Sequence, residues 1–480
     1  MATASTRPAE PADEPDPRRW RALIICLVAG FMALLDVSIV NVAIPSIATG
    51  LHAGESSLQW IVSGYALTFG LLLVPAGRVG DARGRRPAFM WGLSLFTLAS
   101  VACGLSPNDG SLIAARLLQG AAGGVLMPQM SGLIQQLFRG AERGRAFGLL
   151  GASIGISTAV GPLLGGLIIQ VFGASEGWRF VFFVNLPIGV VTLFLAMRWI
   201  PHVRPTGRRE SLDPVGVVLL GAAVTCLLLP FIEQQQWSNL RLLLFPAAAA
   251  LTGAWLAWEV SYSKRSDPVV DLGLFREKGY AVGATLTMLF FAGFTGLFFI
   301  YTQYLQIGLH YSALHAGLAV TPFAIGSAAA AAFGGRVVLQ YGRPLVVLGL
   351  VLVVLGFIGS YVAADTVPGH NVGWAAALPL LVAGVGSGFV ITPNITLTLN
   401  DVPVRRAGIA GGVLQTGQRI GSAAGIAFTG SVFYAAVRSS RGDWALAFRH
   451  GLWVITGFTV AALVLGLVDL ATGRPADRTG

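Results

Sequence analysis

Charge is what this chain has least of. Asp, Glu, Lys and Arg together make up 11% of its 480 residues, against 54% hydrophobic residues. So few charges cannot clothe a globule of that size, and an ordinary soluble domain is excluded. Cysteine is scarce as well. Cys26, Cys103 and Cys226 fall inside long apolar stretches at no metal-ligand spacing, so they read as small apolar packing residues. Lysine is nearly absent beside abundant arginine, a bias that reflects genome composition more than chemistry. No glycine-rich loop of the Gly-x-x-x-x-Gly-Lys type is present, which argues against ATP-driven transport, and no nucleophile–base pair stands out to suggest a membrane enzyme. The six histidines, His52, His202, His310, His315, His370 and His450, sit in loops or near the ends of apolar stretches and form no proton relay.

Apolar stretches recur instead, each near the length of about 20 residues that carries an α-helix across roughly 30 Å of hydrocarbon. They read as about fourteen spans, which makes the chain an all-α polytopic membrane protein. Residues 1–21 are expected to form a disordered cytoplasmic tail, 22–200 a six-helix bundle, and 201–279 a linker with two extra transmembrane helices near 214–233 and 241–260. Residues 280–471 then form a second six-helix bundle and 472–480 a short cytoplasmic tail. The first twenty residues are Pro-rich and charged without an apolar core, so they do not read as a cleavable signal peptide.

Placing both termini in the cytoplasm gathers Arg78, Arg83, Arg85, Arg86, Arg139, Arg143, Arg145, Arg343, Arg405 and Arg406 on that side of the cell membrane. That asymmetry obeys the positive-inside rule, with Arg438, Arg441 and Arg449 as its one sizeable exception. The net charge of +10 therefore follows from topology. Basic residues spread over short loops without interleaved aromatics argue against a nucleic-acid partner.

Within the first span lies Asp36, in Leu35-Asp36-Val37-Ser38-Ile39. A carboxylate at that depth is costly to keep and reads by default as a proton-linked or ion-linked functional group. Glu233, Glu259, Asp401 and Asp469 sit near span ends, where a solvated or snorkelling position is expected.

The chain also repeats itself. Gly77-Arg78-Val79-Gly80-Asp81-Ala82-Arg83-Gly84-Arg85 recurs as Gly335-Arg336-Val337-Val338-Leu339-Gln340-Tyr341-Gly342-Arg343, each followed by proline, Pro87 and Pro344. A Gly-then-Pro feature follows each copy, Gly123 to Pro128 and Gly388 to Pro393. Two parallel six-span halves are expected where bundles rock about a midplane site to give alternating access.

The first copy, with Arg86, resembles the Gly-x-x-x-Asp-Arg-x-Gly-Arg-Arg signature of the major facilitator superfamily, read as a short cytoplasmic loop between spans 2 and 3. Its glycines, Gly77 and Gly84 among them, permit a tight turn, while Asp81 can pair with Arg85 and with a neighbouring helix end to latch one conformation. Ala82 stands where that family usually has arginine, which puts any contact of that arginine in doubt. Leu112-Ile113-Ala114-Ala115-Arg116-Leu117-Leu118-Gln119-Gly120 resembles the span 4 motif whose buried arginine is associated with proton transfer. Gly151, Gly155, Gly161-Pro162 and Gly165-Gly166 resemble the antiporter motif of exporters, and Trp178 to Gly189 together with the Asp36 segment resembles the fourteen-span drug:proton antiporters of the EmrB/QacA type.

The resemblance implies that Asp36 and Arg116 carry the coupling, Arg116 favouring the ionised carboxylate when close and a proton taking its place when apart. A purely structural ion pair is the alternative. The glycines of span 5 imply close packing alone, or packing with a gating bend at Pro162. Span 9 concentrates aromatics from Phe290 to Tyr304 with amides at its outer end, a surface for bulky amphipathic ligands or an aromatic belt facing lipid. Asn41, Trp60, Tyr65, Tyr304, Gln306, Asn394 and Gln415 are the candidate substrate contacts. Arg419 joins them, since some similar exporters of dicationic compounds carry an acidic residue there. A cation in that place disfavours multiply charged cations and suits neutral, zwitterionic or anionic cargo, or else simply reaches the interface or a carboxylate.

The function expected is a proton-coupled secondary active exporter, an antiporter, of drug-like or antibiotic amphipathic compounds. Protons are its coupling ion, no cofactor or metal is needed, membrane lipid surrounds it, and a monomer is the working unit. A proton-independent facilitator or a lipid or metabolite translocator on the same fold is the alternative, against which Asp36 with Arg116 argues.

Overall fold

The computed structural model describes residues 17–173, 175–201, 213–232, 242–264, 270, 272–367, 369–400, 402–403 and 406–472. The helices follow from the apolar runs, because a chain in hydrocarbon must satisfy its backbone within itself. The first half contains α1 (Arg19–Leu51), α2 (Glu55–Arg83), α3 (Arg85–Gly104), α4 (Asp109–Leu137) and α5 (Gly140–Phe172). Its sixth span is broken into α6 (Gly177–Phe183) and α7 (Asn185–Trp199). Then come α8 (Pro214–Ile232) and α9 (Leu244–Tyr262). The second half holds α10 (Lys278–Gln303), extended by a π turn at Tyr304–Gly308, then α11 (Ala313–Tyr341), α12 (Arg343–Thr366), α13 (Val372–Ala375), α14 (Ala377–Asn400), α15 (Ala407–Ser439) and α16 (Trp444–Thr472).

Among the described residues, twelve helices are long and apolar enough to cross a membrane by length and composition, beside the fourteen spans expected. The difference lies in the central pair. Both are 19 residues long: α8 is apolar from Pro214 to Ile232, and α9 carries Glu259 in its last turn. These two helices pack on each other, and α8 packs against α2 and α15. Glu259, expected to be solvated, is fully buried and accepts the Val270 N–H at 3.1 Å. Asp213 caps α8 by accepting from Gly216 N at 3.0 Å and also takes a hydrogen bond from Trp258 Nε1 at 2.9 Å. Asp469 lies 3.3 Å from both Lys278 Nζ and Arg343 Nε rather than alone in solvent. Glu233 and Asp401 lie outside the described residues, as does most of each expected tail, although α1 already begins at Arg19.

The repeated motif lies on helix, not in a loop: α2 runs unbroken to Arg83 and a single residue, Gly84 at φ 105°, turns the chain into α3. Gly342 at φ 56° does the same between α11 and α12. Side chains rarely adopt these angles, so glycine is required at both corners. At this end of the molecule the halves are joined, with Leu399, Val402, Ala410 and Leu414 of the second half packed into the same apolar cluster as Leu73, Leu133 and Phe138 of the first. The α5–α11 contact is closer still. A Cβ on Gly335 would lie 2.4 Å from the Gly144 carbonyl oxygen and 2.6 Å from Gly148 Cα, so the two backbones touch. Large apolar side chains cover the outside of the bundles, Trp91 being 76% and Trp374 85% exposed, as lipid-facing surfaces require.

Candidate functional site

Helix α1 carries Asp36 into the interior of the first bundle, where its side chain is 0% exposed. Three side chains donate to it. Arg116 Nη1 on α4 lies 2.5 Å from Oδ2, Gln119 Nε2 donates to Oδ1 at 2.8 Å, and Asn185 Nδ2, the first residue of α7, donates to the same oxygen at 3.1 Å. Arg116 and Gln119 are one helical turn apart and so share a face of α4. The guanidinium is fixed in turn: Nε donates to the Ile61 carbonyl at 3.0 Å, Nη1 to Gln119 Oε1 at 2.8 Å, and the group lies 4.2 Å from the centre of the Tyr65 ring. Asn185 also donates to Ser100 Oγ at 3.0 Å, and Ser100 to the Phe182 carbonyl at 2.9 Å.

A buried ion pair is tolerable only where its hydrogen bonds are nearly complete. Here they are, and four elements supply them. Gln119, Asn185 and Ser100 escaped sequence reading as site residues. Gln119 stood three positions from Arg116 inside a quoted motif, so helical spacing alone could have placed it; Asn185 required the break between α6 and α7.

Glycines of α5 work on two faces. Gly151 and Gly155 meet the second half: an added Cβ would come within 2.0 Å of Thr392 Oγ1 and 3.3 Å of Ala328 N, respectively. Gly161 and Gly165 seat α5 on α1 beside Asp36, against Ser38 Oγ at 2.0 Å and Ile39 Cγ1 at 2.9 Å, and Ser38 Oγ donates to the Ser157 carbonyl at 3.1 Å. Pro162 faces Gly317 of α11, while Gly166 faces open space. Gly161→Ala is therefore expected to cost about 1–3 kcal/mol by forcing α1 and α5 apart, whereas Gly166→Ala stays within about 0.5 kcal/mol. Thermal unfolding midpoints of the two variants check this; equal midpoints would remove the α1–α5 seat.

At the joined end, Arg85 holds Asp81 Oδ1 at 2.9 Å and donates to the Gly132 carbonyl at 2.5 Å, while Asp81 Oδ2 accepts from Ile409 N at 3.0 Å. A carboxylate of the first half thus sits on the first turn of α15 in the second, where the helix dipole favours negative charge. Gly77 is buried nearby on α2.

The candidate substrate residues separate. Tyr65 is buried and donates to the Ala33 carbonyl at 3.3 Å, Tyr304 is buried with its ring stacked 4.8 Å from that of Phe448, and Asn394 is enclosed by Gly283, Thr287 and Arg343. These three are packed within the bundles. Asn41 is exposed, and Trp60, Gln306, Gln415 and Arg419 are half-buried. Gln415 Nε2 lies 3.5 Å from Ser131 Oγ across the two halves, and the Arg419 guanidinium is 4.2 Å from the centre of the Phe69 ring.

Two six-span halves, a buried ion pair in one of them and polar and glycine contacts between them define a multi-pass membrane transporter. The chain belongs to the Major Facilitator Superfamily, whose profile matches residues 26–426. It is 34% identical over 453 residues to the probable actinorhodin transporter of Streptomyces coelicolor, covering 91% of this chain and 78% of the relative. It is 32% identical over 443 residues to the tetracenomycin C resistance and export protein of Streptomyces glaucescens, covering 91% and 80%. Among solved structures it resembles the human organic anion transporter MFSD10 (TETRAN), with a TM-score of 0.69 at 16% identity over 94% of this chain and all of that one, a likeness of fold. The protein is thus a transporter and not an enzyme.

Proposed function

We propose that the protein is a proton-driven antiporter that exports amphipathic, antibiotic-like compounds across the cytoplasmic membrane, with both termini in the cytoplasm and the monomer as its working unit. The export direction and class of cargo are supported by relatives named for antibiotic resistance and export. The observation that carries the coupling is the closed network around Asp36, a charge held at depth by Arg116, Gln119 and Asn185. A proton on Asp36 cancels the attraction that anchors Arg116, and so favours a different arrangement of α1, α4 and α7. With the Gly84 and Gly342 corners in the cytoplasm, the joined end is the closed cytoplasmic side and Asp81 is its latch. Opening that side must break the contact from Asp81 to Ile409 and part α5 from α11.

The test is transport by purified protein in liposomes under an imposed pH gradient, following lumenal pH and a panel of lipophilic dyes together. Dye movement that tracks the gradient, with substrate-induced proton flux in the opposite direction, is expected. Dye movement indifferent to the gradient sinks the antiporter and leaves a facilitator.

A further inference from the structure

We propose that Arg419 is the cargo-recognition cation of this transporter, and that the compounds it exports carry an ionised carboxylate or phenolate. The inference rests on the exporter reading and names the substrate class of that site.

Three other buried or partly buried arginines have anions. Arg116 is paired with Asp36, Arg85 with Asp81, and Arg343 with Asp469. Arg419, in the interior of α15, makes no hydrogen bond or ion pair with any of the described residues. Its guanidinium rests instead on the face of Phe69, a residue of α2 in the opposite half. A ring face attracts a cation but satisfies none of its five N–H donors, so a half-buried guanidinium in this position remains a site for an acceptor anion. The planar fork suits a carboxylate, which it binds through two parallel hydrogen bonds.

Location supports the assignment. Arg419 has partly accessible neighbours on its own helix, Gln415 and Gln418, and sits at the seam where α15 meets α2. The Phe69 ring is 5.8 Å from that of Tyr65, and the Tyr65 ring is in turn 4.2 Å from the Arg116 guanidinium. A short aromatic bridge therefore links the unpaired cation of one half to the paired cation of the other. Cargo that draws Arg419 off Phe69 loosens a contact between the halves beside the coupling pair, which is the place where binding can bias their rocking. Phe69 cannot shift alone, because Gly123 and Gly124 of α4 pack directly on it.

Binding, measured without any gradient, separates this inference from the coupling mechanism. The full-length protein in lipid nanodiscs is titrated with fluorescein, an anionic xanthene, and with rhodamine 123, a cation on the same ring system. Wild type is expected to bind fluorescein more tightly. Arg419→Gln is expected to lose about tenfold or more of fluorescein affinity with little change for rhodamine 123, Arg419→Lys to recover most of it, and Arg419→Glu to invert the preference. Equal fluorescein affinity in wild type and Arg419→Gln overturns the assignment, as does a parallel loss of both dyes in the Gln and Lys variants, which marks a packing residue. Wild type that binds no anion more tightly than the matched cation also overturns it. Failure of gradient-driven transport in liposomes, with anion-selective binding intact, refutes the antiporter and leaves Arg419 in place.

Discussion

Asp36→Asn reduces gradient-driven transport to the level of protein-free liposomes while the protein still folds. The amide preserves the shape of the carboxylate and can still accept from Gln119 and Asn185, which approach at 2.8 and 3.1 Å. It carries no exchangeable charge, so the proton loses its binding place. The variant is nonetheless destabilised, because Arg116 is left buried without its anion, a cost of about 3–5 kcal/mol when one partner of a buried pair is removed. Arg116→Gln suffers in the same way from the opposite side. The informative variant is the pair: Asp36→Asn with Arg116→Gln removes both charges and should regain much of the unfolding temperature lost by either alone, with transport still uncoupled. Thermal unfolding and substrate-induced proton flux, measured on all three, decide the matter. Normal proton flux in Asp36→Asn sinks the mechanism, and an additive loss of stability in the double variant removes the energetic coupling of the pair.

The second large effect is expected at Gly335→Ala. Its new methyl would meet the Gly144 carbonyl and the Gly148 backbone at 2.4 to 2.9 Å. Backbone cannot swing aside as a side chain can, so α11 must move off α5 at the joined end. Overpacking of this kind costs about 1–3 kcal/mol, enough to shift a two-state population by roughly fivefold to a hundredfold. The cost falls on the joined arrangement alone, since parted helices have room for a methyl. Spin labels at positions 141 and 341, at the start of α5 and the end of α11, should report a longer-distance population in the variant. An unchanged distance distribution, alongside an unchanged one for Gly166→Ala, means that the glycine seam does not set the balance between states.

Arg419 and Asp36 illustrate why a residue's surroundings outweigh its type. Both are isolated charges in apolar sequence. One is enclosed by Arg116, Gln119 and Asn185 and is complete; the other rests on an aromatic ring and is not. Tyr65 and Tyr304 point the same way, since an aromatic with a hydroxyl in a span reads equally well as a ligand contact or as core, and neighbours from α1 and α16 put these two in the core.

The sequence by itself determined the membrane class, the two-fold repeat, the motif glycines and the two span-embedded charges, Asp36 and Arg116. Length, apolarity, spacing and a charge at depth are local properties, and lipid leaves a polar backbone few alternatives to helix. Tertiary structure decided the rest. Hydropathy counts the central pair with the other spans, and the structure adds that Glu259 and Asp213 are buried in contacts that tie α8 and α9 to each other and to the segment leading into α10. The role of α5 as a spine between α1 and α11, the reach of Asp81 to Ile409 across the halves and the closure of the Asp36 network by Asn185 join residues far apart in the chain. Contacts of that kind depend on how helices are rotated against one another, and no periodicity within a single helix encodes that rotation.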